Sequence, residues 1–175
     1  MDKELIELYK EDKNAGFKAI LDTYQERVYW QIRRMLKTHE ATEDVMQNTF
    51  IKVWNALPKF REESNLYTWI YRIAFNESTN YLNKENKMPS VEYDPPLFES
   101  KNAVFGNDYT GEEIESLLYK ALNLLPEKQK IVFELKYFDE LKFKEISKIT
   151  GTSEGGLKAS YHLAVKKIKE YFETL

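Results

Sequence analysis

Between Phe17 and Leu36 the apolar side chains Phe17, Ile20, Leu21, Tyr24, Val28, Ile32, Met35 and Leu36 recur every three or four positions. That is the period of one helix face, so the stretch predicts a long amphipathic helix. Val45, Met46, Phe50, Val53, Trp54 and Leu57 predict a second. Leu66, Trp69, Ile70, Ile73 and Ala74 predict a third, with Ser64 or Asn65 placed to cap it. Lys3 to Asp12 predicts a short leading helix. The same period returns late in the chain. Pro126 stands where a helix can start without an N–H, and Ile131, Val132, Leu135 and Phe138 follow as its apolar face. Asp139 and Glu140 mark a break. A short helix comes next, with Phe143, Ile146 and Ile149 on its inner face. Gly151 ends it, since glycine accepts the left-handed conformation of a helix stop. Ser153 is placed to cap a last helix, whose buried stripe is Leu157, Tyr161, Ala164 and Ile168. No stretch sustains strand alternation. The predicted fold class is all-α.

The segment between the two helical groups is different. Residues 89 to 112 contain Pro89, Pro95, Pro96, Gly106 and Gly111, which break helix and strand alike. They read as a linker, giving a domain at 1–88, a linker at 89–112 and a second domain at 113–175. The late helices of the second domain look like a helix-turn-helix, a unit that usually lays its second helix in the DNA major groove. Lys158, His162, Lys166 and Lys169 point away from the apolar stripe of that helix. They suit a DNA-facing surface, and equally the solvated face of a plain three-helix bundle.

Charge sharpens this picture. The chain of 175 residues carries a net charge of -3. Residues 1–88 hold 14 basic and 14 acidic side chains, and residues 113–175 hold 11 and 10. The linker holds Lys101 against Glu92, Asp94, Glu99, Asp108 and Glu112, so the excess acid is there. Neither domain is strongly basic, which argues against tight, unaided DNA binding. Cysteine is absent, so disulfides and cysteine-bound zinc are excluded. His39 and His162 form no metal motif, and no phosphate-binding glycine loop or catalytic triad is legible. No cofactor and no enzymatic activity are expected. The charged start and the lack of a long apolar run point to a cytoplasmic chain without membrane insertion.

Four strings, in order, carry a family resemblance. They are Glu43-Asp44-Val45-Met46-Gln47-Asn48-Thr49-Phe50-Ile51-Lys52-Val53-Trp54, Trp69-Ile70-Tyr71-Arg72-Ile73-Ala74-Phe75-Asn76, Leu125-Pro126-Glu127 and Glu145-Ile146. Together they resemble the extracytoplasmic-function branch of bacterial RNA polymerase sigma factors, over about Phe17 to Phe172. The resemblance implies two helical domains. The first, region 2, binds the polymerase clamp and opens the minus-10 element. The second, region 4, binds the minus-35 element and touches the polymerase flap. Core RNA polymerase, promoter DNA and an anti-sigma factor are the implied partners, and the free chain is expected to be a monomer.

Residue by residue, Asp44, Gln47 and Phe50 match the clamp-binding pattern, and Asn48 replaces its usual acid. Asp44, Gln47, Asn48 and Ile51 are the expected polymerase contacts, since spacings of three and four put them on one helix face. Phe50 and Trp54 are expected in the core. Phe60 to Tyr67 resembles the loop that holds a flipped-out base, with Phe60, Arg61 and Tyr67 as candidates; aromatic rings favour stacked bases. Arg72, Asn76, Thr79 and Asn80 are the minus-10 candidates on the following helix. Ser153, Glu154, Lys158, His162 and Lys166 are the minus-35 candidates. The sequence departs from the family pattern at Asn80 and Asn83, often Asp and Arg, and at Leu163, a frequent arginine. Gly156-Leu157-Lys158-Ala159-Ser160 stands where the family favours Thr-Val-Lys-Ser-Arg. The second domain contains no arginine, so bidentate guanine readout is not available to it. Two other readings remain at this point: a LuxR-type helix-turn-helix regulator, and a helical adaptor that binds no nucleic acid.

Overall fold

The computed structural model describes residues 2–36, 38–85 and 111–175. All regular structure among them is helical: α1 (Asp2–Glu11), α2 (Lys13–Met35), α3 (His39–Ala56), a 3-10 turn (Leu57–Lys59), α4 (Leu66–Glu85), α5 (Gly111–Asn123), α6 (Glu127–Tyr137), α7 (Phe143–Thr150) and α8 (Glu154–Glu173). They form two compact units, α1 to α4 and α5 to α8. The expected linker lies outside the described residues up to position 110. Its last two residues, Gly111 and Glu112, instead open α5, an element the sequence reading missed although Ile114, Leu117, Leu118, Ala121 and Leu122 recur at helical spacing. No described helix is long and apolar enough to cross a membrane.

The first unit is built around α2. Its Ile20, Tyr24, Val28 and Ile32 are buried with Val45, Phe50 and Val53 of α3 and Leu66, Ile70 and Ala74 of α4. Two expectations for this core need correction. Tyr71, not Trp69, is the buried aromatic of α4, and Trp69 and Ile73 are only half-buried. Trp54 lies at the surface, 36% exposed, packed edge-on against Phe17 at 4.9 Å between ring centres. Phe50 is in the core as expected.

Several buried polar groups of this unit are bonded within it. Tyr71 donates its hydroxyl to the Arg27 carbonyl at 3.0 Å, and its own carbonyl accepts from Gln31 at 3.3 Å. Thr42, Thr49 and Ser78, all wholly buried, donate to the carbonyls four residues back. This lets small polar residues sit inside without an unpaired hydroxyl.

Helix α1 joins α2 through a single residue. Asp12 accepts from the backbone of Asn14 and Ala15 at 2.9 and 3.0 Å, capping α2 just where α1 ends. So short a connection folds α1 tightly back onto α2. Gly16 makes the approach possible: a Cβ there would lie 2.2 Å from the Cα of Tyr9.

In the second unit Ala121, Leu122, Leu125, Phe133, Ala164 and Ile168 form a common core. Tyr161 of α8 lies parallel to Phe133 of α6 at 5.8 Å and edge-on to Phe143 of α7 at 5.9 Å. One aromatic ring thus keys the last helix to both preceding ones. Gly151 ends α7 at φ +73°, and Ser153 caps α8 by accepting from Gly156 at 3.3 Å.

Gly16→Ala is expected to destabilise the first unit by about 1–3 kcal/mol, the usual cost of overpacking, because the clash is with backbone. Chemical denaturation measures it.

Candidate nucleic-acid and polymerase interfaces

Three surfaces hold the residues singled out by the sequence. The first is on α3. Asp44, Gln47, Asn48 and Ile51 are all exposed there, at positions three and four apart on one face. Ile51 is 51% exposed, although it sits in a helix with a large buried face. Trp54, one turn further on, extends this strip. An isoleucine and a tryptophan left in solvent beside an acid and two amides make a mixed apolar and polar surface suited to a protein partner. Sequence reading placed Trp54 inside; its spacing of three from Ile51 was the signal that it shares this face.

The second surface runs from the loop before α4 along that helix. Phe60 is half-buried against Trp69, with ring centres 5.0 Å apart. Arg61 is exposed. Arg72, Asn76 and Asn80 are exposed at intervals of four, with Asn83 beyond them. These side chains form one strip of donors and acceptors with a single positive charge. Two candidates fall outside it. Thr79 is half-buried and donates its hydroxyl to the Phe75 carbonyl at 2.8 Å. Tyr67 is held among other groups: the Arg27 guanidinium lies 4.1 Å from its ring centre, and the Tyr71 and Tyr24 rings lie at 4.2 and 5.7 Å. Tyr67, Phe60 and Trp69 are all half-buried, Tyr67 engaged with Arg27 and its neighbouring rings and Phe60 with Trp69. The partial exposure of Trp69 was missed because apolar spacing alone places it inward.

The third surface is α8. Glu154, Lys158, His162 and Lys166 are exposed along it, and Ser153 precedes it. The Ser153 hydroxyl is engaged as the helix cap, and Lys166 pairs with Glu170 at 3.7 Å. Lys158 and His162 lie one turn apart near the helix start. Leu163 beside them is 46% exposed. Gly155 faces open space: a Cβ built there meets nothing within 4 Å.

Comparison with known proteins identifies the family. Residues 20–88 match sigma-70 region 2, and residues 115–168 match sigma-70 region 4. The ECF RNA polymerase sigma-E factor of Haemophilus influenzae is 27% identical over 184 residues, which cover 99% of this chain and 96% of that protein. Among solved structures, CnrH in complex with the cytosolic domain of CnrY superposes with a TM-score of 0.72 at 16% identity, over 99% of this chain and 97% of that one. The sigma factor RpoE of Bartonella quintana, in complex with the anti-sigma factor NepR, gives 0.70 at 22% identity, over 90% and 96%. The chain belongs to the sigma-70 family of RNA polymerase sigma factors, in its extracytoplasmic-function branch. It directs promoter-specific initiation of transcription. With region 2 matched in the first unit, neither the LuxR-type reading nor the adaptor reading stands.

Gly155→Ala is expected to stabilise the second unit by up to about 1 kcal/mol, because alanine is the better helix former and the site has room. Denaturation followed by helical signal measures the gain.

Proposed function

We propose that the three surfaces divide the work of initiation among them. The α3 strip of Asp44, Gln47, Asn48 and Ile51, extended by Trp54, docks on the clamp of core RNA polymerase. The loop at Phe60 and Arg61 and the α4 strip of Arg72, Asn76 and Asn80 hold the opened minus-10 strand. A base taken out of the stack costs a few kcal/mol, and a pocket that receives it offsets part of that cost. Phe60 beside Trp69 supplies the aromatic surface. Helix α8 enters the major groove at the minus-35 element with Lys158 and His162 nearest its start, while the second unit also meets the flap.

The observation that carries this reading is the exposed Ile51 within a polar strip on a helix otherwise packed into the core. A solvated surface would gain nothing from an isoleucine at that position. Residues 89–110 are the acidic connection between the two units. The factor works in the cytoplasm as a specificity subunit with no catalysis and no cofactor of its own. An anti-sigma protein is its proposed regulator, as CnrY and NepR accompany the structurally similar factors.

Asp44→Ala combined with Gln47→Ala is expected to weaken core binding about tenfold or more, the effect of removing interface hydrogen bonds that include a charged group. Helical content should stay unchanged. Competition against wild type for core polymerase reads the effect, and equal competition would remove α3 from the interface.

Promoter recognition should require polymerase. The two domains carry little net positive charge, so little counterion release is available to the free chain. Core polymerase fixes both domains and makes the second DNA contact intramolecular. The free chain is expected to show no specific footprint near physiological salt, whereas holoenzyme should show one. Lys158→Ala should impair minus-35 use in that complex. A specific footprint from the free chain would overturn this mechanism.

A further inference from the structure

Helix α1 precedes the matched region 2 segment, which begins at residue 20. Even so, both its ends reach the loop that carries Phe60. At one end, Asp2 accepts the Leu66 backbone N–H at 2.9 Å, across 64 positions of sequence. Leu66 is the first residue of α4. A helix start leaves such N–H groups without an intrahelical partner, and the residue just before normally caps them. Here a carboxylate from another helix satisfies the first of them, favoured by the helix dipole and by its own charge. The second oxygen of Asp2 accepts the hydroxyl of Tyr24, which is buried in α2. Burial first, then the bond to Asp2 and its charge, raise the pKa of that hydroxyl, so it stays protonated and donates. At the other end of α1, Lys10 pairs with Glu62 at 3.3 Å. Glu62 is the loop residue at φ +57°, a conformation that costs a side chain free energy and persists only where its surroundings hold it.

We infer that Asp2 is a positioning residue for minus-10 base capture: by joining the start of α4 to Tyr24 of α2, it fixes the loop that presents Phe60. This rests on the reading of that loop as the base-holding element. Asp2 touches no DNA in this scheme. Its carboxylate sets where α4 begins, and the five residues between Phe60 and Leu66 have little slack to absorb a shift at that point.

The experiment uses holoenzyme assembled from core polymerase and the full chain. The probe is a fluorescent single-stranded oligonucleotide bearing the non-template minus-10 sequence of a promoter that wild-type holoenzyme selects from a randomised library. Asp2→Ala is expected to weaken capture about tenfold, the scale of one lost charge-assisted hydrogen bond, with core affinity unchanged. Asp2→Asn should restore most of the loss, since asparagine caps as well as aspartate does. Tyr24→Phe keeps the ring in the core, so it folds; it should reproduce part of the defect by freeing one oxygen of Asp2. Phe60→Ala serves as the test of the loop itself. If Phe60→Ala abolishes capture while Asp2→Ala and Tyr24→Phe do not change it, the positioning role is wrong and the loop reading stands. If Phe60→Ala also leaves capture intact, the loop reading fails. If Asp2→Ala lowers core affinity and capture in proportion to lost helical content, Asp2 is merely structural and the inference is overturned.

Discussion

The first unit depends on how Tyr71 is accommodated. A tyrosine wholly removed from water must find a partner for its hydroxyl, or the fold loses the value of burying the ring. Tyr71 finds it at the Arg27 carbonyl, and one turn later Gln31 reaches back to the Tyr71 carbonyl. The two contacts set both the spacing and the rotation of α4 against α2. With Tyr71 turned fully inward, Arg72 turns away from it, and Asn76 and Asn80 follow Arg72 at intervals of one turn. The polar strip is therefore set by an interior tyrosine.

The same frame holds α3. Its exposed strip and the α4 strip belong to neighbouring helices of one packed unit, and Lys52 pairs with Glu77 between those helices. A partner docked on α3 thus determines where α4 stands without any change of shape within the unit. Such an arrangement suits a factor that must be aimed by one large partner before it acts on another.

Much of this was legible in the sequence because it is local. Apolar periodicity gave α2, α3 and α4, and Gly151 and Ser153 marked the turn before α8 correctly. The α3 strip could be read because helical spacing alone puts Asp44, Gln47, Asn48 and Ile51 on one side. What could not be read depends on distant partners. Trp54 and Trp69 carry the same apolar signal as core residues, yet Trp54 lies at the surface and Trp69 is half-buried, partly covered by Tyr9 of α1 and by Phe60 respectively. Tyr67 and Phe60 look alike in the string, yet Tyr67 lies against Arg27 and Tyr71 while Phe60 lies against Trp69. Helix α5 was legible in the spacing of Ile114, Leu117, Leu118, Ala121 and Leu122 but was missed, because its glutamate-rich start, Gly111-Glu112-Glu113, continues the composition of the acidic stretch before it. The Asp2 cap has no local signature at all, since the groups it joins are far apart along the chain.

The empty space beside Gly155 bears on how such a factor can diverge. Gly155 and Ala159 are both exposed near the start of α8, and at Gly155 no neighbouring atom limits what a side chain could be. The elements that hold the helix in place, Leu157, Tyr161, Ala164 and Ile168, lie on its other side. If α8 reads the minus-35 element as proposed, recognition and folding fall to separate residues of one helix. Under that proposal, new side chains at the two small positions would alter promoter preference without repacking the unit, and duplicated copies of such a gene would acquire separate sets of promoters by few substitutions.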